Sequence, residues 1–275
     1  MKEKLRYIIG RCLVVLMPKK AAKLGENGMT IVLNKKLSKV EYLMRDAILN
    51  KAKKNKDFDN LAKLHHNYWV NKGDELFVET DDMFENIFLP DWSFIFDKLQ
   101  IELAGSTYEY KTLVEIGAGN GNVLNFLSQK FPQIEQFIGI DLSVKQIAIN
   151  KQRFHSNTRL SFVAADVLDW VNEFGEENTI FVTSGGVLEY FTQENLEAFL
   201  KRLNNLGKIK FIAIEPIGSQ VNFETNSNSQ IYGPESSFSH NYKKLFENAG
   251  FSIWHQSNVK QDNTEWYFTI LGAKN

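Results

Sequence analysis

The chain has 275 residues, 43% hydrophobic and 24% charged, enough for one sizeable core or a core with a small appendage. Its single cysteine, Cys12, rules out an internal disulfide framework and fits a reducing compartment, and no Cys/His set has the spacing of a zinc site, so no metal is expected. The formal net charge of −1 hides a lopsided distribution: residues 1–56 hold 15 Lys+Arg against 4 Asp+Glu, leaving 17 and 29 for the remainder.

A basic head on an acidic body points either to an anionic partner for the head or to a solvated basic helix packed on that body. The first apolar run, "YIIGRCLVVLM" (7–17), is too short to span a bilayer and is broken by Arg11. The lysines after it and the lack of a clear cleavage site argue against a signal peptide. With Lys2, Lys4, Arg6, Lys19, Lys20 and Lys23 around it, the segment reads as a packed N-terminal helix or as one lying on an anionic membrane surface. The expected location is cytoplasmic, with peripheral contact at the inner membrane face left open.

Residues 38–55 predict a helix, with Ser38 and Glu41 at capping-box spacing and Val40, Leu43, Met44, Ala47 and Ile48 on one stripe. A polar break at 51–60 precedes a second helix, "LAKLHHNYWV" (61–70). Asp91, after Pro90, is placed to cap a third helix with Trp92, Ile95, Phe96 and Leu99 on its inner face.

From residue 111 short apolar runs alternate with helical patterns. The runs are 111–117, 136–142, 160–166, 178–184 and 208–216, and their spacing predicts a parallel sheet covered on both faces. A loop (217–238) and a helix ended by Gly250 follow. Two last runs, joined by the turn-rich "KQDNT", predict an antiparallel hairpin on the sheet edge.

The first of the five runs ends in "LVEIGAGNGNVLNFL" (113–127). Glycines after a first strand permit a tight turn and close approach of backbone to ligand, and the next helix offers free N–H groups. A phosphate-cradling loop would continue Gly-Lys-Ser/Thr, but here Gly121-Asn122-Val123 follows. The dinucleotide fingerprint would place its third glycine at Asn122; it stands one position early, at Gly121.

A G-x-G-x-G turn preceded by the acid Glu115 resembles instead the class I S-adenosylmethionine (SAM) methyltransferases. Three later segments add to the resemblance: "IGIDLS", "FVAADVLDW" and "VTSGGVLEYF". It covers about residues 108–275 and implies a Rossmann-like seven-stranded, mostly parallel sheet with an antiparallel C-terminal hairpin. Residues 1–107 are then an N-terminal helical extension and lid.

Residue by residue, the resemblance implies Glu115 near the methionine amino group, Gly117, Gly119 and Gly121 against the cofactor, and Asp141 on the ribose hydroxyls beside Leu142. Asp166 and the backbone at Val167 would hold the adenine edge, although a helix cap is a competing use for Asp166. Ser184 and Gly185 line the pocket by position. Trp69, with Tyr68, can stack over the cofactor from the lid or serve as core. Candidates for a catalytic base are Glu189, Tyr190, Glu215 and His240, with His65 and His66 on the lid; relatives often carry a histidine where Tyr190 stands.

The implied activity is methyl transfer from SAM to a small-molecule acceptor, with a hydroxyl of a sugar, lipid or natural product the favoured acceptor. The other readings kept open are a nicotinamide-dependent oxidoreductase and a non-catalytic, membrane-docked SAM-fold module. Nucleic acid is disfavoured because the body around the pocket is acidic. The oligomeric state is not legible.

Overall fold

The computed structural model describes residues 2–29, 37–79, 82–261 and 267–275. Helices α1 (Lys2–Leu16), α2 (Pro18–Asn27), α3 (Lys39–Asn55) and α4 (Phe58–Glu79) form an N-terminal layer. Ser38 and Glu41 make the expected reciprocal capping box at the start of α3. Buried Leu24, Met44, Leu49, Leu61 and Leu64 give this layer its own apolar cluster, which also takes in Phe238 from the far end of the chain.

The predicted third helix has a different start. A π-helical stretch, Phe84–Trp92, runs directly into α5 (Phe94–Ala104), so Asp91 lies inside helical backbone and caps nothing. Pro90 is the physical reason: it lacks an N–H and crowds the preceding turn, and the backbone widens there. Ser93 N–H reaches back five residues to the Phe88 carbonyl (2.9 Å), and its hydroxyl donates to the Leu89 carbonyl (2.6 Å).

The sheet follows the sequence closely. Strands β1 (Thr112–Ile116), β2 (Gln136–Asp141), β3 (Leu160–Ala164), β4 (Thr179–Ser184) and β5 (Lys210–Ile217) are parallel. They alternate with α6 (Asn122–Lys130), α7 (Val144–Arg153), α8 (Val167–Phe174) and α9 (Gln193–Leu206). The region expected as loop 217–238 holds a short antiparallel pair, β6 (Gln230–Tyr232) and β7 (Ser237–Ser239). After α10 (Tyr242–Asn248), strands β8 (Ser252–Lys260) and β9 (Tyr267–Lys274) form the expected antiparallel hairpin. Most of its predicted turn lies outside the described residues.

The strand order is β3-β2-β1-β4-β5-β9-β8, so the order reverses between β1 and β4. Ligands in open α/β sheets bind outside the carboxyl ends of the strands at such a point. Apolar clusters fill both sides of the sheet, one around Phe181, Phe199, Phe211 and Phe246, the other around Phe96, Phe131, Phe137 and Ile212. Among the described residues no helix is long and apolar enough to cross a membrane.

Gly139, midway along β2, lets the layers close. A Cβ there would stand 2.8 Å from Phe162, 2.9 Å from Ala118 and 3.0 Å from Leu124. Gly139→Val should lower the unfolding free energy by about 1–3 kcal/mol through overpacking. Urea denaturation followed by circular dichroism checks this; an unchanged midpoint would show that the contact is not limiting.

Candidate active site

The turn after β1 is built by its own chemistry. Gly117, Gly119 and Gly121 all have positive φ (70°, 49° and 77°), which L side chains rarely adopt. The N–H groups of Gly117 and Ala118 donate to the Ile140 carbonyl at 2.8 and 2.9 Å, so the turn folds over the tip of β2. Asp141 completes that junction. Its Oδ2 accepts from Gly119 N–H (3.0 Å) and its Oδ1 from Ser143 N–H (2.9 Å). The opposite end of the Gly119 peptide is fixed too: its carbonyl accepts from Asn150 Nδ2 at 2.7 Å, and Asn150 is in turn held by Gln146 (2.8 Å).

Above this turn lies a cavity of about 830 Å³ at the reversal of strand order. Of the residues expected to hold cofactor, Glu115, Gly117, Gly119, Asp141, Leu142, Asp166, Val167, Ser184, Gly185 and Trp69 line it. Gly121 does not. A Cβ there would strike Phe154 at 2.7 Å and Phe162 at 3.0 Å, so this glycine serves packing beneath the turn. Trp69 reaches the cavity from α4 and packs on Tyr190 with ring centroids 5.5 Å apart, whereas Tyr68 is buried in the core.

Glu115 is fully buried. Its Oε1 accepts from Ser184 Oγ at 2.6 Å, while Oε2 has no donor at hydrogen-bonding geometry. Burial pushes its pKa up to about 8, against the help of Ser184 and the Leu124 N–H. Burial likewise raises Asp141, opposed by its backbone donors. Asp166 is different: the hydrogen bond from His66 lowers its pKa most, with burial acting against it. Its Oδ1 caps α8 through Leu168 N–H (2.8 Å), and its Oδ2 lies 3.4 Å from His66 Nε2. Both the cap of α8 and a contact with α4 therefore use a carboxylate expected to face adenine.

The four base candidates separate sharply. Glu189 and Tyr190 line the cavity, and Glu189 Oε2 accepts from Tyr232 OH at 2.6 Å. Glu215 and His240 are absent from its wall and wholly buried. Glu215 Oε2 is taken up by the N–H groups of Val187 and Leu188, both at 3.0 Å, and so anchors the turn after β4. His240 is held between Ser229 Oγ (2.6 Å) and the Leu188 carbonyl (3.1 Å), and burial pushes its pKa down to about 4. His65 is buried with the same depression, whereas His66 lines the cavity.

The sequence reading missed the aromatic side of the cavity. Phe84, Phe88 and Trp92 recur every four residues along the π-helical stretch, close to its wider period, and Phe268 joins them from β9. Trp92 and Phe268 are 4.5 Å apart between ring centroids. The spacing 84-88-92 was visible, but an α-helical period assigned Trp92 to a purely internal face.

Strand order, glycine turn and acid at the tip of β2 are together those of the class I, Rossmann-like SAM-dependent methyltransferase fold. Residues 113–208 match the family model described as "Methyltransferase domain". A 58-residue stretch is 40% identical to trans-aconitate 2-methyltransferase from Acidovorax sp. (strain JS42), and the match spans about a fifth of the length of that curated relative, 21% of each chain. The fold is similar, at 11% identity and a TM-score of 0.50, to a SAM-dependent methyltransferase from Clostridium acetobutylicum ATCC 824, covering 71% of this chain and 98% of that one. It is equally similar, at 11% identity and 0.50, to geranyl diphosphate C-methyltransferase from Streptomyces coelicolor A3(2), covering 66% and 78%.

The residues present fit SAM as cofactor. A buried carboxyl with an oxygen that has no partner suits a cationic ligand, which would favour its ionised form. Glu115 would receive the ammonium of the methionine moiety and Asp141 the ribose. Because the folded pKa of Glu115 lies above its ordinary 4.5, this residue favours the folded state less as pH rises from about 4.5 through about 8. A bound cation offsets that loss. SAM affinity should therefore rise as pH approaches about 8, and Glu115→Gln should weaken binding and flatten the dependence; calorimetry at several pH values checks both. Asp141→Ala should weaken S-adenosylhomocysteine binding by about 1–3 kcal/mol, measured the same way.

Proposed function

We propose that the chain transfers the methyl group of SAM to a hydroxyl of a small molecule with a largely apolar body, beneath a lid formed by residues 1–107. The observation that carries this reading is one continuous cavity. It joins the glycine turn and Asp141 to an aromatic wall and to the buried carboxyl of Glu189.

SAM supplies an activated methyl on a sulfonium whose leaving thioether is neutral, so the protein's tasks are to position the acceptor and keep water out. Phe84, Phe88, Trp92 and Phe268 give the acceptor's body an apolar surface. From α4, Ala62, His66, Trp69 and Leu76 supply the opposing wall. His66 against Asp166 ties that wall to the sheet, as does Asp74 to Lys145 at 3.7 Å.

Glu189 is the base in this reading. Burial raises its pKa, with Tyr232 and other hydroxyl donors pulling the other way. A carboxylate raised in this manner accepts a proton more readily than a solvated one. Tyr232, donating to Oε2 at 2.6 Å, fixes its orientation in the cavity wall. Glu215 and His240 hold the turn from behind.

Release of S-adenosylhomocysteine, followed over a panel of hydroxyl and amine acceptors with apolar bodies, tests the proposal. Turnover is expected with hydroxyl acceptors; turnover with amines alone would overturn the choice of nucleophile. Glu189→Gln should lower kcat about a hundredfold while leaving S-adenosylhomocysteine binding intact. Since the base works only as a carboxylate and its pKa is raised, the wild-type rate should climb with pH above the ordinary carboxylate range. The variant's profile should lack that limb.

A further inference from the structure

Helix α1 carries two unlike faces. Gly10 packs on the backbone of Leu43 and on Ala47 of α3, and Leu13 and Val14 turn into the N-terminal apolar cluster. The other side is also apolar but is exposed. Leu5 is 58% exposed, Ile8 57%, Ile9 41%, Val15 76% and Leu16 77%. At about 100° per residue, positions 5, 8, 9, 12, 15 and 16 fall within an arc of about 120°. The remaining exposed large hydrophobics among the described residues are scattered along the chain from Phe58 to Tyr267.

Cations border this strip. Lys4 and Arg11 are exposed along one side of α1, and Lys19 and Lys23 are exposed on α2 beyond its end. The segment 1–56 carries an excess of positive charge while the rest of the chain carries an excess of negative charge. An apolar stripe bordered by Lys and Arg is what lies in the interface of an anionic bilayer. A second copy of the chain would bring the same cations against themselves, which disfavours self-association through this face.

We infer that the outer face of α1 docks the protein onto anionic membranes, with Leu5, Ile8, Ile9, Val15 and Leu16 entering the interface and Lys4, Arg11, Lys19 and Lys23 meeting lipid headgroups. The inference stands on α1 and α2 alone and does not require methyl transfer.

Co-sedimentation of the full chain with vesicles of phosphatidylcholine, with and without phosphatidylglycerol, tests it. Binding should occur to the anionic vesicles and fall with added salt. The double substitution Ile8→Asp with Leu16→Asp should reduce it at least about tenfold. Both positions are exposed, so the melting temperature and S-adenosylhomocysteine binding should stay as in the wild type. Arg11→Glu with Lys19→Glu should weaken binding to anionic vesicles and leave that to neutral ones unchanged. Failure of the wild type to sediment with anionic vesicles would overturn the inference. So would vesicle binding that survives both double substitutions. A concentration-dependent dimer, seen by light scattering and abolished by Ile8→Asp with Leu16→Asp, would instead identify the face as a self-association surface and also overturn it.

Discussion

The carboxylate of Asp141 is the joint on which the crevice turns. A Gly-x-Gly-x-Gly segment left to itself samples many conformations, and fixing it costs more backbone entropy than fixing a segment without glycine. Asp141 selects one of them by accepting the Gly119 N–H with one oxygen while the other holds the start of the next loop at Ser143. Asn150 then clamps the same peptide from its carbonyl side. Each hydrogen bond contributes modestly, but buried donors and acceptors without partners would be expensive, so the clamped turn is strongly preferred. The turn is thereby held by the chain's own hydrogen bonds, which limits the ordering that a ligand bound against it would have to impose.

The second constraint is how far the N-terminal layer is tied down. It meets the sheet domain through side chains at the rim: His66 with Asp166, Asp74 with Lys145, and Trp69 with Tyr190. The first two are partly exposed polar contacts of small net worth. The third is an aromatic contact in the cavity wall itself. Deeper down, Phe238 enters the apolar cluster of α2–α4, and His65 lies 3.4 Å from the Ser236 carbonyl. The layer is thus anchored firmly at β7 and lightly over the crevice, an arrangement that permits the light edge to yield while the anchored edge stays.

The fold was largely legible because its signals are local. Five apolar runs at regular spacing, each followed by an amphipathic stretch, leave few arrangements other than a parallel sheet, and β1 to β5 lie where the pattern puts them. The site was legible where it depends on backbone, at Gly117, Gly119 and the strand tips. It was least legible where a polar residue's partner comes from distant chain. Nothing near Glu215 announces that the amides of Val187 and Leu188 will claim it, nor near His240 that Ser229 and Leu188 will bury it. Gly121 shows the same lesson in reverse: a glycine in the right motif is favoured by its positive φ and by Phe154 and Phe162, which leave no room for a Cβ. Gln146 and Asn150 left a weak trace, two polar residues one turn apart on the inner side of α7 beside Ile147.

Three buried glutamates, Glu115, Glu189 and Glu215, stand around one crevice, and burial raises the pKa of each. Their partners give them different work. Glu215 receives two backbone amides, so its charge is spent on holding the turn after β4. Glu189 receives the phenol of Tyr232 on one oxygen, with Ser237 and Tyr190 also lowering its pKa against burial, and lines the cavity. Glu115 receives one serine hydroxyl on Oε1, with the Leu124 N–H also acting against burial, and its Oε2, like Glu215 Oε1, has no partner at hydrogen-bonding geometry. Keeping such a group buried costs stability unless something positive comes to it. Below about pH 8 burial favours the protonated, neutral form of Glu115, and a cationic ligand placed beside it would favour the carboxylate, so occupancy by a cation and loss of that proton are linked.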